Sequence, residues 1–292
     1  MTVKIPDNYI EINSIDDTQS ILKYIMYFFD KKCDDNLLKY NIFGGTLLGA
    51  IRHKGFIPWD DDIDVVMPRD DYNKLLEIYK NDEEFIIKSY HDSNYPYPYM
   101  KLCIKDSLLI ENDIKDKYNK LSAYIDIFPV DGYPKNDSLF FHYLHFYEKK
   151  RYSAVVTNEK LKKISNKLIY YFKLPLCKLY EFIGIKHFLN KENNILSQNK
   201  IDDCEFLLQY AGGWNNKGII KKSEFFDRKK YQFCNLSVYG VNNYDLQLKT
   251  LYGDYLKMPK ENERVSNHNY RLFISREIYI KIKSDEYMKE KL

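Results

Sequence analysis

The chain has 292 residues, 45% of them hydrophobic and 30% charged, with a formal net charge of +3. This is the composition of a soluble globular protein able to bury one large core or two small ones, and it excludes a disordered or fibrous chain. Five cysteines (Cys33, Cys103, Cys177, Cys204 and Cys234) are dispersed with no C-x-x-C pair, so they read as reduced thiols of a cytosolic protein rather than a disulfide framework or a zinc site.

The N-terminal "MTVKIPDNYIEINS" has no apolar h-region, so no secretory signal is expected. Ser14, Asp17 and the helically spaced Ile21, Leu22, Ile25, Phe28 and Phe29 predict a helix over residues 14–38. "NIFGG" predicts a strand entering a tight turn, and "TLLGAIRHK" a short helix starting there. "DIDVVM", set between Pro58 and Pro68, predicts a buried strand, and "RDDYNKLLEIYKN" a helix with Tyr72, Leu75, Leu76 and Tyr79 on one face. "EFIIKSY", "YMKLCIKD" and "AYIDIFPVD" predict three further strands. Residues 138–199 read as helical with Pro175 as a break, "FCNLSVYGV" as strand, and "SREIYIKIKSDEYMKEKL" as a closing helix. The expectation is a mixed α/β (α+β) fold. Its core spans residues 1–137, a helical basic insertion 138–203, and residues 204–292 complete the same domain.

Residues 43–67, "FGGTLLGAIRHKGFIPWDDDIDVVM", place Asp60, Asp61, Asp62 and Asp64 within five positions and follow them with an apolar run. Such repulsion calls for a cation among the charges. On a strand Asp62 and Asp64 share a face with Cα atoms roughly 6.6 Å apart, suited to one cation or to two metals about 3.5–4 Å apart. Oxygen-only donors select a hard ion, Mg²⁺ or Mn²⁺. Asp126, inside the apolar "YIDIFPVD", is the candidate third carboxylate, because a lone charge there is costly unless paired or metal-bound. The bland alternatives are a solvated acidic turn for Asp60 and Asp61, and a structural ion pair or helix cap for Asp126. An EF-hand is rejected, since Val65 and Asp71 stand where its Gly and Glu belong. Gly44, Gly45 and Thr46 open the following helix, where backbone N–H groups suit phosphate oxygens.

These residues resemble the LicD family, which includes the fukutin-related proteins and sits in the nucleotidyltransferase-fold superfamily. Phe43-Gly44-Gly45, then Asp62-Ile63-Asp64-Val65, then Asp126 in "IDIFPVDG" match that superfamily's three signature blocks, and residues 45–65 match the LicD elaboration throughout. "LYGDYLKMPKENERVSNH" resembles the family's C-terminal block, with Lys260 in place of a second proline. The resemblance implies a nucleotidyltransferase-like mixed sheet flanked by helices. It also implies transfer of phosphocholine or a similar phospho-alcohol from a CDP-activated donor to a glycan hydroxyl, releasing CMP. Asp62, Asp64 and Asp126 would then be catalytic and hold the metal, with CDP-choline or a related CDP-alcohol as donor. Gly44, Gly45, Thr46, Arg52, Lys101, Arg264 and His268 would contact donor phosphate, with Lys105 a further candidate, because transition-state charge spreads over phosphoryl oxygens. Trp59, Asp60, Asp61 and Asp131 would shape the substrate's approach. Tyrosines such as those of "YPYPYM" could hold a choline head group through cation–π contact.

Between residues 149 and 191 eleven Lys/Arg face only Glu159 and Glu181, a net of +9. That is usually a solvated helical face, but it also suits an anionic membrane or a lipid-linked, phosphorylated acceptor. The expected setting is cytoplasmic, with peripheral contact at the inner face of the membrane, and no nucleic acid is expected as partner. Two other classes stay open: a true nucleotidyltransferase releasing pyrophosphate, and a glycan- or choline-binding module without chemistry.

Overall fold

A computed structural model of the chain describes residues 4–135, 139–162, 167–266 and 268–285. β1 (Tyr9–Ile12) leads into α1 (Ile15–Asp35), which follows Ser14 and carries Asp16 and Asp17 in its first turn, where carboxylates favour the positive helix end. Ile21, Leu22, Ile25 and Phe29 of α1 are buried, the stripe a helix needs to sit on a sheet. β2 (Asn41–Ile42) runs into α2 (Gly44–Arg52), and β3 (Asp64–Pro68) into α3 (Arg69–Ile78). β4 (Phe85–Lys88), β5 (Met100–Ile104), β6 (Ser107–Glu111), β7 (Lys120–Leu121) and β8 (Tyr124–Gly132) complete the first half.

Four helices then intervene: α4 (Phe140–Val155), α5 (Asn158–Lys162), α6 (Lys167–Ile183) and α7 (Ile185–Ser197). Pro175 lies inside α6, not at a break as expected. The chain turns instead at Gly184, whose φ of +91° is readily reached only without a Cβ. Of the expected helical stretch, residues 138 and 163–166 lie outside the described residues. β9 (Phe206–Leu208), β10 (Ile219–Lys221), α8 (Lys222–Phe226), β11 (Arg228–Phe233), β12 (Leu236–Val241), α9 (Tyr244–Tyr252), β13 (Tyr270–Ser275) and α10 (Arg276–Ser284) follow. The expected single strand at "FCNLSVYGV" is a hairpin, β11 and β12, turning at Cys234 with φ +54°. The closing helix begins as expected but ends at Ser284. The expected continuation over 286–292 lies outside the described residues.

β8 organises the main sheet. It pairs parallel with β3, and antiparallel with β5 through its first half and with β9 at its end. β2 extends this sheet beyond β3, β4 beyond β5, and β10 beyond β9. A second, antiparallel sheet runs β1-β13-β6-β7. Alternation along the strands sorts the core: Val65, Met67, Ile125 and Ile127 pack with α1, while Val66, Phe128 and Val130 pack with Phe43, Leu207 and Phe225 on the other face, as a period of two requires. The expectation of a mixed α/β fold is met.

Candidate active site

Strand register assembles the site. Asp126 on β8 stands opposite Asp64 on β3 and opposite Lys101 on β5. Residues abreast in a sheet point to the same face, so Asp64, Asp126 and Lys101 form one row, on the face of Val66 and Phe128. Lys101 Nζ donates to Asp126 Oδ1 at 2.6 Å, both side chains buried. The same ammonium lies 3.4, 4.6 and 5.3 Å from the ring centres of Tyr124, Tyr97 and Tyr99. Tyr97 and Tyr99 of "YPYPYM", expected to hold a ligand's cation, therefore turn toward one of the chain's own.

Asp60, Asp61 and Asp62 precede β3, which starts at Asp64. The expectation that Asp62 and Asp64 share one strand is corrected accordingly. Gln19 of α1 holds this acidic segment, donating to the carbonyls of Ile57 and Asp60 at 3.3 and 2.9 Å. Thr46 Oγ1 accepts from the Asp64 N–H at 2.8 Å, which ties the first turn of α2 to β3. That helix begins at Gly44, two residues earlier than expected. Its glycines face carboxylates: a Cβ on Gly44 would meet Asp64 Oδ2 at 3.1 Å, and one on Gly45 would meet Asp60 Oδ2 at 2.8 Å. His268 returns from the far end of the chain, its Nδ1 2.7 Å from Asp61 Oδ1 and its Nε2 3.8 Å from Asp62 Oδ2. The Tyr270 hydroxyl donates to the Asp61 carbonyl at 3.4 Å.

The charges are unevenly compensated. Burial, then repulsion from Asp62, Asp126 and Asp60, pushes the Asp64 carboxyl well above the carboxylate range. Burial, then Asp62 and Asp61, pushes Asp60 up to about 8. Burial also raises Asp62 against the pull of His268, and Asp126 against that of Lys101. For Asp61 burial acts upward too, but hydrogen bonds from His268 and Ser266 outweigh it and leave the carboxyl below its usual value. The bond to Asp61 in turn lifts the His268 imidazole to about 9 despite burial. Asp64 takes no part in the ion pairs that neutralise Asp61 and Asp126.

This all-oxygen, mutually repelling donor set has the chemistry that a hard divalent ion relieves. Among the described residues no three His, Cys, Asp or Glu side chains gather as a ready ligand group. Lys101 and His268 supply the countercharge instead. Asp62 and Asp64 fit as metal donors, and Asp126 fits on release from Lys101.

Other expected residues are engaged elsewhere. Arg52 donates to His53 Nε2 at 2.9 Å and to the Tyr255 carbonyl at 2.8 Å, and Lys105 to the Asp82 carbonyl at 2.6 Å. Arg264 donates to the Pro259 carbonyl at 3.0 Å, and its guanidinium lies 5.8 Å from the ring centre of Trp59, which also packs on the core. Asp131 accepts from Arg69 Nε and Nη2 at 2.7 and 2.5 Å. Its buried carboxylate is committed to the fold, a correction to the expected substrate-shaping role.

Two residues at the site had no expected role. The Tyr252 hydroxyl would lie 3.7 Å from a Cβ on Gly44, and burial followed by Asp64, Asp60 and Asp62 raises its phenol. Trp214 stands edge-on to both Phe43 and Tyr252. The "LYGDY" block and the scarcity of tryptophan, two in the chain, were the available signals. Beside His268 opens a cavity of about 260 Å³, bordered by Tyr97, Glu111, Arg151, Tyr152 and Tyr270. A larger cleft of about 650 Å³, between Lys31 and Asp82, includes none of these site residues.

Comparison with known proteins agrees with this geometry. Residues 38–177 match the LicD/FKTN/FKRP nucleotidyltransferase domain. Over 271 residues the chain is 29% identical to the lipopolysaccharide cholinephosphotransferase LicD of Haemophilus influenzae, covering 88% of this chain and 96% of that one. An uncharacterized protein of Rickettsia prowazekii is 36% identical over 117 residues, 40% of each chain. The matched domain contains both the glycine turn and the three strands that set Asp64, Asp126 and Lys101 abreast. The chain thus carries a LicD/FKTN/FKRP nucleotidyltransferase domain over residues 38–177 and is similar along most of its length to a LicD cholinephosphotransferase.

Proposed function

We propose that the protein moves phosphocholine, or a similar phospho-alcohol, from a CDP-activated donor to a hydroxyl of a cell-surface glycan or its lipid-linked precursor, releasing CMP. The observation that carries this reading is the Asp64–Asp126–Lys101 row facing the glycine turn, in a chain similar along most of its length to a lipopolysaccharide cholinephosphotransferase. Asp62 and Asp64 would hold Mg²⁺ or Mn²⁺, one ion or two, and Asp126 would join them. A bound ion supplies positive charge to the phosphoryl oxygens. Lys101 and His268 add fixed positive charge beside the carboxylates, where developing negative charge is stabilised most in a partly buried site. Asp126, raised from its ordinary value by burial against the pull of Lys101, is suited to accept the acceptor hydroxyl's proton. The cavity beside His268 offers Tyr152 and Tyr270 with Glu111, alongside Arg151 and Lys160, and we take the two tyrosines as the faces for a quaternary ammonium group. A nucleotide-activated donor would be met in the cytoplasm, the setting this reading expects.

Incubation with CDP-choline, Mg²⁺ and glycan acceptors should release CMP and label the glycan. Asp64→Asn should slow that release by about 100-fold or more. Pyrophosphate among the products would point to nucleotidyl transfer, and an unchanged rate in Asp64→Asn would overturn the assigned site.

A further inference from the structure

α6 carries an apolar face that the rest of the fold leaves in water. Ile169, Phe172, Leu176, Leu179 and Ile183 are all exposed and recur at three- and four-residue steps, so they share one side of the helix. Phe182, 88% exposed, and Tyr171, 67% exposed, widen that side. The opposite side is the packed one: Cys177 is buried with Val156 and Leu161, with Tyr170 against them. Tyr180, at the edge of the stripe, stands edge-on to Phe188 of α7.

The lysines of the helix are placed to match. At about 100° per residue, Lys173 and Lys178 fall on the two flanks of the apolar arc, one on each side, and both are exposed. Flanking lysines can bury their stems beside an apolar surface and keep the ammonium in water. The acid of this helix, Glu181, is held by Lys115 and Lys117 at 2.6 and 2.8 Å, so it does not neutralise the arc. Part of the +9 segment is spent within the fold: Arg151 is buried against Glu192 at 2.9 Å, and Lys160 pairs with Asp113. Lys173 and Lys178 are the exposed charges that border the stripe on α6 itself.

We propose that α6 is a membrane-surface helix that lies in the interface of an anionic lipid bilayer, apolar arc inward and Lys173 and Lys178 at headgroup level. The stripe from Ile169 to Ile183 is about 21 Å long at 1.5 Å per residue, shorter than the roughly 30 Å hydrocarbon core, and no helix among the described residues is long and apolar enough to cross a membrane. Charge decides the occupant. A second copy docking stripe to stripe would set lysine flanks against lysine flanks, whereas an anionic headgroup layer neutralises both. The inference does not depend on which group the active site transfers.

The test is sedimentation of the full chain with vesicles of phosphatidylcholine alone and of phosphatidylcholine mixed with phosphatidylglycerol. Binding is expected on the mixed vesicles, weakened by salt. Phe172→Glu/Leu179→Glu should lose it by tenfold or more while unfolding at the wild-type temperature. Lys173→Ala/Lys178→Ala should lose roughly fivefold per lysine. No binding to mixed vesicles, or equal binding by the Phe172/Leu179 variant, overturns the proposal. So does a dimer in analytical ultracentrifugation that the same variant dissociates, since the stripe would then be a contact between copies.

Discussion

A methyl group on Gly44 would sit 3.1 Å from Asp64 Oδ2 on a residue whose φ is +55°, so two separate constraints act at one position. The left-handed backbone alone costs a non-glycine residue roughly 1–2 kcal/mol, and Gly44→Ala should lose about that much stability in urea unfolding. Gly45→Ala differs, because its Cβ would meet the movable end of Asp60 at 2.8 Å without a positive φ. It should displace that carboxylate and leave stability closer to wild type. The glycine pair was legible in the sequence as a tight turn, but its contact with Asp60 and Asp64 was not. His268 gives a pH signature. Its imidazole, raised by Asp61 to about 9, contributes stability that is fully present below the ordinary value of about 6.5 and fades as pH rises through about 9. NMR titration in EDTA should show one histidine titrating near 9, absent in His268→Gln; a value near 6.5 would sink the assignment.

Among the elements, α3, α7 and β8 are joined by one guanidinium. Arg69 at the start of α3 holds both oxygens of Asp131 on β8 and donates to Asn193 Oδ1 of α7 at 3.0 Å. Removing one partner of a buried pair leaves an uncompensated charge and costs about 3–5 kcal/mol, so Asp131→Ala should lower the urea midpoint sharply with the slope unchanged. The long elements were legible because their apolar periods are local: α1, α3, β5 and β8 lie where spacing placed them, and α2 begins two residues earlier. Whereas β2 lies where "NIFGG" placed a strand, the two-residue strand β7 and the edge strand β1 were less legible. Their identity comes from partners such as β13, more than 260 residues from β1, and not from a run of their own. Pro175 misled for a related reason. Proline interrupts an isolated helix, but α6 tolerates it on the solvent side, where the neighbouring Leu176 is also exposed.

Across the whole molecule, the C-terminal segment closes what the N-terminal segment opens. β13 lies between β1 and β6, pairing with both, and His268 precedes it by two residues. A chain ending at residue 266 should lose both the centre of that sheet and the partner of Asp61, and should fail to show a single cooperative thermal transition; a wild-type melting curve would contradict this. The sequence by itself determined the elements whose signals are local: a glycine turn ahead of a helix, a carboxylate segment ahead of an apolar strand, and an aspartate inside a second such strand. Turn chemistry and hydrophobic period act over a few residues and survive without a fold. Only the tertiary structure decided which charges meet. Lys101 reaches Asp126 through the β5–β8 register and His268 reaches Asp61 across 207 residues of chain, because register is set by burying the two faces of the sheet at once, a condition that no single stretch of sequence contains.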